Sequence, residues 1–438
     1  MLRQYRFEIL IIVLIHLGFL VIQLFSQNYL LDDSKEYINT ADNLITEGIL
    51  YCDDPEGDTD PAFYTKRTPG YPLFLLPVRL VTGSLVPVII LQMLLSIGAI
   101  LIMLKIFKPG KNSRYLLIAL VALFPAQFIY ANLVMSEILF QFVVMAAVAV
   151  FFRYIQTKKI KVLWYYQLLI ITGILIKPVL YLFVIVNILL FIYLYFRTRQ
   201  RLVIISSLVP LIFVIIFGGI NQHRTGYFHI SSIQHINLVD YNLYFYMMNR
   251  EGKEKAMEKR EQIHEECNRH LNYRDQAICL SKSATDYFRE DLKAYGLFHA
   301  KGMVRFFLDP GRFDLYHFFG IKSEPGRGFL YQLNNGGLRG AWDYFLAQPV
   351  LIILLLLLIA MVNLLRLVGF LFFLFNRQFN IEFRLFLLLL TGFLAFATGP
   401  LGASRFMLPV VLILTGGAVV QYGRWVDKYI HKIRISES

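Results

Sequence analysis

Apolar residues gather along the chain into ten blocks, at about 8–26, 85–107, 115–131, 134–154, 162–176, 179–196, 202–219, 349–372, 383–399 and 405–423. Helices of this length, rising 1.5 Å per residue, match a hydrocarbon core of about 30 Å. The apolar runs do not alternate with period two, so the pattern predicts transmembrane helices rather than barrel strands. The first block follows Arg3 and Arg6, as a signal peptide would, but it is long and no small-residue cleavage site follows. It is expected to be a retained helix.

Two polar stretches are long enough for chemistry: 27–84, between the first two blocks, and 220–346, between the seventh and eighth. The chain thus divides into 1–219 (seven helices and the first external loop), 220–346 (an external, mostly helical region) and 347–438 (three helices and a short tail). In the first loop, Asp33-Ser34-Lys35-Glu36 reads as a helix start, with a carboxylate at the cap and Glu36 three residues on. Tyr37, Ile38, Ala41, Leu44 and Ile45 then recur at helical spacing, which predicts a short amphipathic helix on the membrane surface, stopped by Gly48. Pro69, Gly70 and Pro72 turn the chain back towards the bilayer. In the second stretch, the mixed charges of Glu251 to Glu266 predict a solvated helix, and Asp286 to Arg289 and Met303 to Phe307 predict further short helices. Neither a strand pattern nor an internal repeat is evident.

Composition narrows the class. At 57% hydrophobic, 17% charged and mean hydropathy +0.56, the chain fits an integral membrane protein and not a soluble domain. Lys and Arg crowd alternate connections: Arg3 and Arg6, Lys105 to Arg114, Arg153 to Lys161, Arg197 to Arg201, Arg366 to Arg384, and Arg424 to Arg434. The positive-inside rule then puts both termini in the cytoplasm and the two long stretches outside a plasma (inner) membrane. On this reading the net charge of +13 reports topology and contact with anionic membrane lipids, and gives no reason to expect a nucleic-acid partner. Cytoplasmic connections are too short for a nucleotide-binding domain, and there is no phosphate-binding Gly-rich loop. Cys52, Cys267 and Cys279 all fall outside; Cys267 and Cys279 are near enough to pair, and free thiols fit equally well. No zinc-ligand spacing is present.

Candidate chemistry concentrates at the outer ends of the blocks. Asp32 and Asp33 follow the first span, and adjacent carboxylates are poised for a base or a metal ligand, or one is simply a helix cap. Glu137 stands at the outer entrance of the fourth block, where an acid needs a partner or a cavity, or serves the helix dipole. Lys66, Arg67, Lys177 and Arg405 lie at the same level against the positive-inside bias. A phosphate would suit them, as would ordinary headgroups.

The run Asp33-Ser34, Tyr37, Ala41-Asp42-Asn43-Leu44, Gly48 and Arg67-Thr68-Pro69-Gly70-Tyr71-Pro72-Leu73-Phe74 resembles the first external loop of the GT-C membrane glycosyltransferases, of the protein mannosyltransferase and aminoarabinose-transferase type. Ser136-Glu137-Ile138-Leu139-Phe140, Lys177-Pro178 and Arg405-Phe406-Met407-Leu408-Pro409 are similar to weaker patterns of the same family, in the same order. The resemblance implies an all-α GT-C-like bundle of about ten transmembrane helices with external amphipathic helices and a helical external insertion. It implies an enzyme that moves a sugar from a polyprenyl-phosphate donor to a lipid, glycan or protein acceptor outside, with inversion. Asp33, with Asp32 adjacent and Glu137 near, is then catalytic, and Lys66, Arg67, Lys177 and Arg405 bind the donor phosphate. Family members have a large external domain after the last helices; only a short segment follows block ten here, so acceptor recognition is expected to fall to 220–346. No cofactor is required, and a divalent metal between the two aspartates is left open. A transporter or lipid flippase, and an O-antigen polymerase or ligase working through residues such as His223 and Arg224, are the alternatives.

Overall fold

The computed structural model describes residues 2–56, 59–321, 337–340, 342–343 and 349–436. Among these there is no strand. The helices are α1 Arg6–Ser26, α2 Asp32–Thr46, α3 Gly70–Val81, α4 Val86–Phe107, α5 Arg114–Ala122, α6 Pro125–Ala131, α7 Glu137–Thr157, α8 Ile160–Ile176, α9 Phe183–Thr198 and α10 Arg201–Thr225. They continue with α11 Ile233–Ile236, α12 Tyr244–Glu251, α13 Lys253–Cys267, α14 Tyr273–Glu290, α15 Leu292–Leu308 and α16 Arg312–Phe318. The last three are α17 Val350–Phe373, α18 Ile381–Ala397 and α19 Ser404–Ser436. Among the described residues, seven helices are long and apolar enough to cross a membrane, or eight if the bent pair α5–α6 is one span. The chain is therefore a multi-pass helical membrane protein. α8 and α18, at 17 residues each, are shorter than that seven.

Several expected boundaries move for local reasons. The block expected at 115–131 is not one rod: α5 and α6 meet at 56° where Pro125 has no N–H to continue the ladder. Arg366 repairs part of the break. Its guanidinium donates to the carbonyl of Leu120 at 2.6 Å and lies over the Phe124 ring at 5.3 Å. The block expected from 134 begins as helix only at Glu137, and α10 runs on through Asn221-Gln222-His223-Arg224, so the boundary expected at 219/220 falls inside a helix. Within the first loop, α3 was not foreseen; of its prolines, Pro72 sits in the first turn and Pro77 inside the helix.

Basic connections lie together at one end. The Tyr5 hydroxyl donates to the carbonyl of Pro109 at 2.9 Å, Arg114 pairs with Glu8, Asn112 donates to Asp427 and Arg197 pairs with Glu382. α4, α7 and α9 end there on Lys108, Lys158 and Arg199, each in the left-handed region with φ of 48°, 53° and 58°. Glycine is usual at such a stop, but a cation there faces the negative end of the helix dipole.

α19 is the central post, with 83% of its most apolar window buried against 28% for α10 and 22% for α1. α4, α7, α17 and α18 pack around it. Uncharged polar groups link the inner helices: His16 to Ser96, Ser96 to Gln127, Gln127 to Gln141, and Gln141 to the carbonyl of Leu408 at 2.6 Å. Such contacts fix helix register where lipid offers no hydrophobic drive. The described residues after α10 up to 321 are mostly helical, as expected, and have their own small core around Val239, Tyr246, Met247 and Ala284; 322–336 of the expected region lie outside the described residues. Cys267 and Cys279 are joined, and Cys52 is buried and free.

Candidate functional site: a chain of alternating charges

α2 starts without using Asp33 as its cap. Leu31 is the cap residue, and its N–H donates to the Ser34 hydroxyl oxygen at 2.9 Å. The cap expected at Asp33 is thus at Leu31, with the Ser34 side chain reaching back to it, which leaves the Asp33 carboxylate free to reach other elements. One helical turn on, at spacing i+3, Glu36 projects from the same face.

Seven side chains then alternate in sign. Lys66 Nζ donates to Glu36 Oε1 at 2.7 Å, and Arg67 Nε donates to Glu36 Oε2 at 2.6 Å. Arg67 Nη2 donates to Asp33 Oδ1 at 2.6 Å, and Arg405 Nη2 donates to Asp33 Oδ2 at 2.6 Å. Arg405 Nε reaches Glu137 Oε1, which also accepts from Lys177 Nζ at 2.8 Å. Both ends of this chain are cations, so four positive groups face three carboxylates. The Glu137 side chain is 0% exposed and that of Arg67 9%, whereas Asp33 keeps 30%. Glu137 Oε2 has no hydrogen-bond partner among the described residues. Burial alone would raise the Asp33 pKa; the guanidiniums of Arg405 and Arg67 overcome it and hold the carboxyl well below the usual carboxylate range.

Each member is anchored from a different part of the chain. Arg67 stacks over the Tyr37 ring at 4.8 Å, and the Tyr37 hydroxyl meets Ser136 Oγ at 3.1 Å, one residue before Glu137. Behind Arg67, Gly70 packs so closely that a Cβ would stand 2.6 Å from the carbonyl oxygen of Leu175, which keeps Arg67 beside the α8 end that carries Lys177. The 61–67 segment is fastened to the stretch after α10: Thr65 Oγ meets His229 Nε2 at 2.8 Å, and Ser231 and Ser232 donate to the carbonyls of Lys66 and Ala62, each at 2.7 Å.

Arg405 is held from α15–α16. Asp309 accepts from the Ser404 N–H at 2.7 Å, and Asp314 accepts from the Ser404 hydroxyl and, at 2.8 Å, from the Tyr130 hydroxyl. Burial pushes the Asp314 carboxyl up to about 6, against the hydrogen bonds from Ser404 and Tyr130. Gly402, at φ +36°, turns the chain just before Arg405 where a Cβ would collide with the carbonyl of Gly302 at 2.2 Å.

Of the expected site residues, Asp33, Glu137, Lys66, Arg67, Lys177 and Arg405 meet in one assembly. Asp32 does not: it is exposed and outside the chain of charges, and its charge acts on His317. The adjacent aspartates thus part company. Both Asp33 oxygens are occupied by guanidiniums, and among the described residues no group of three or more His, Cys, Asp or Glu side chains could hold a metal ion. These residues do not fit a divalent metal between Asp32 and Asp33. His223 and Arg224 lie exposed in the last turn of α10. Sequence reasoning missed Glu36 as a partner of the cations, though its i+3 spacing from Asp33 was a usable signal. Asp309, Asp314 and Ser404 carried no local signal. No protein-family model matches the chain, and no curated protein matches it.

Proposed function

We propose that this chain of charges is the active site of a polyprenyl-phosphate-sugar-dependent glycosyltransferase in a GT-C-like bundle. Counting α8, α18 and the bent pair α5–α6 as crossings gives ten spans and leaves Asp33, Glu137, Lys177 and Arg405 on the face opposite the basic connections. On that reading the site is external to the plasma membrane and both termini are cytoplasmic; the Cys267–Cys279 bond supports an oxidising outer compartment. The observation that carries the proposal is Asp33 clasped between Arg67 and Arg405 in a site with one surplus positive charge.

A carboxylate held by two guanidiniums is a weak base, and this gives the donor a role. Its phosphate competes for Arg67 and Arg405, and as they turn to it Asp33 loses the partners that depress its pKa while keeping its burial. Asp33 then takes the proton of the acceptor hydroxyl. The acceptor oxygen bonds to the anomeric carbon from the side opposite the phosphate, the bond from that carbon to the phosphate oxygen breaks, and polyprenyl phosphate leaves with the electron pair. Lys66, Lys177, Arg67 and Arg405 stabilise the charge that grows on the departing phosphate. Glu36 and Glu137 hold those cations in place. Pairing at helix ends on one face, rather than along a path through the bundle, favours this chemistry over transport.

The test compares glycolipids, glycoproteins and polyprenyl-linked sugars, by mass spectrometry, in cells with the chain, without it, and with Asp33→Asn. The expected result is one glycan modification lost and its polyprenyl-linked sugar accumulating, in both the deletion and the variant. Identical glycans in all three, with the protein in the membrane, would overturn the reading.

A further inference from the structure

The basic end contains a feature that glycosyl transfer does not use. Between the ends of α4 and α7 and the flanks of α18 and α19 lies a cavity of about 680 Å³. Its floor includes Phe107, Phe152 and Phe379, and its rim Lys108, Arg424 and Lys428. The one carboxylate there, Asp427, accepts a hydrogen bond from Asn112 at 2.6 Å. Among the described residues neither Lys108 nor Lys428 has a carboxylate partner, and Arg424 makes one long bond of 3.2 Å, to Asn376. The contrast with Lys66 and Lys177 is direct: those cations are matched by acids, these are not.

An apolar aromatic floor beneath an unmatched cationic rim, at the bundle end where the hydrocarbon gives way to water, suits an amphiphile with an anionic head. The volume falls in the usual range for small-molecule sites, about 300–1,000 Å³. Lys108 stands in the left-handed region at the end of α4 and lines this cavity. We propose that this cavity binds the phosphate headgroup of an anionic phospholipid from the leaflet at the basic end. The lipid ties together α4, α7, α18 and α19, the last of which carries Arg405 at its far end. The proposal stands whether or not the opposite face transfers sugars.

The experiment uses the purified full chain in neutral detergent and follows thermal unfolding as phosphatidylglycerol, phosphatidylcholine or inorganic phosphate is added. Two double variants are compared, Lys108→Gln with Lys428→Gln, and Lys159→Gln with Lys161→Gln; all four lysines are exposed, and the second pair lies in a basic connection and does not line the cavity. Phosphatidylglycerol should raise the unfolding midpoint of the unaltered chain and of the Lys159/Lys161 variant. The Lys108/Lys428 variant should need about thirtyfold more lipid for the same shift, at the usual worth of a lysine near an anionic surface. An equal shift with phosphatidylcholine, a full shift with inorganic phosphate alone, or an unchanged response of the Lys108/Lys428 variant would each overturn the assignment.

Discussion

The two ends of the bundle treat positive charge in opposite ways. At the basic end, Lys108, Lys158 and Arg199 finish their helices in left-handed conformation, and the cavity rim keeps its lysines unmatched. At the other end, Lys66, Arg67, Lys177 and Arg405 each contact a carboxylate within hydrogen-bond distance. Arg114 and Arg197 at the basic end do pair, with Glu8 and Glu382, but the first arrangement, of exposed cations at the helix ends and the rim, needs only numbers, because water and headgroups screen them and any nearby position serves. The second needs specific partners, because Glu137 is wholly buried and an unmatched charge there is costly. For the exposed cations of the basic end charge is a matter of composition, at the other end of address.

The sharpest way to break this comparison is to remove a charge at the addressed end. Under the proposed function, Asp33→Asn keeps the shape and a hydrogen-bonding group but removes the base, and transfer should fall by about 10²–10⁴-fold, read as turnover of the polyprenyl-linked sugar by membranes with matched protein levels. Near-normal turnover would remove Asp33 from the chemistry. Arg405→Ala comes next, and it needs no assay of function. It strips one of two cations from buried Glu137 and one of two from Asp33, so the chain should lose about 3–5 kcal/mol of stability, measured by thermal or denaturant unfolding in detergent. Arg405→Lys should recover only part, because an ammonium cannot fork between two carboxylates as the guanidinium does.

The same contrast explains what could be read without coordinates. Apolar blocks and basic connections are local or compositional, so the helical membrane class and the grouping of the basic loops were legible from spacing alone. The break at Pro125 was also written in the chain, as a proline within an apolar run, and was passed over because the run's hydropathy dominated. α3 was hidden by Pro69, Gly70 and Pro72, which read as turn signals although Gly70 and Pro72 sit in a first turn that tolerates them. At the site, isolated outer cations pointed to Lys66, Arg67, Lys177 and Arg405, but not to what they touch. Their partners lie between 30 and 372 positions away, and Asp314 meets Ser404 across 90. No period or local spacing encodes such pairs; only the packing of α2, α7, α16 and α19 around one point creates them.

Asp314 offers a pH-dependent refinement. Its carboxyl is held at about 6, above its ordinary value of 3.8, so the native chain binds this proton more tightly than the unfolded chain does. The contribution to stability is therefore complete below about pH 4 and is lost as pH rises through about 6. A shift of this size corresponds to about 3 kcal/mol across that window. Asp314→Asn keeps one acceptor oxygen, enough for Tyr130 or Ser404 but not both, while removing the titration, so unfolding free energies measured from pH 4 to pH 7 should lose this downward slope whatever the offset. An unaltered slope would place the titration elsewhere and detach Asp314 from the anchoring of Arg405.

The smallest effect is expected at the basic end, and its smallness is the point. Lys158→Gly replaces a left-handed lysine by the residue that adopts this conformation without strain, a gain of about 1 kcal/mol, and removes a cation from the end of α7, a loss of about 0.3–1 kcal/mol. The two nearly cancel, so the unfolding midpoint should move little in either direction. Orientation should also survive, since Arg153, Lys159 and Lys161 remain in the same connection and the rule acts on their number. If this single exposed lysine proved as costly as Arg405, measured in the same detergent, the exposed cations of the basic end too would depend on specific partners, and the division between the two faces would fail.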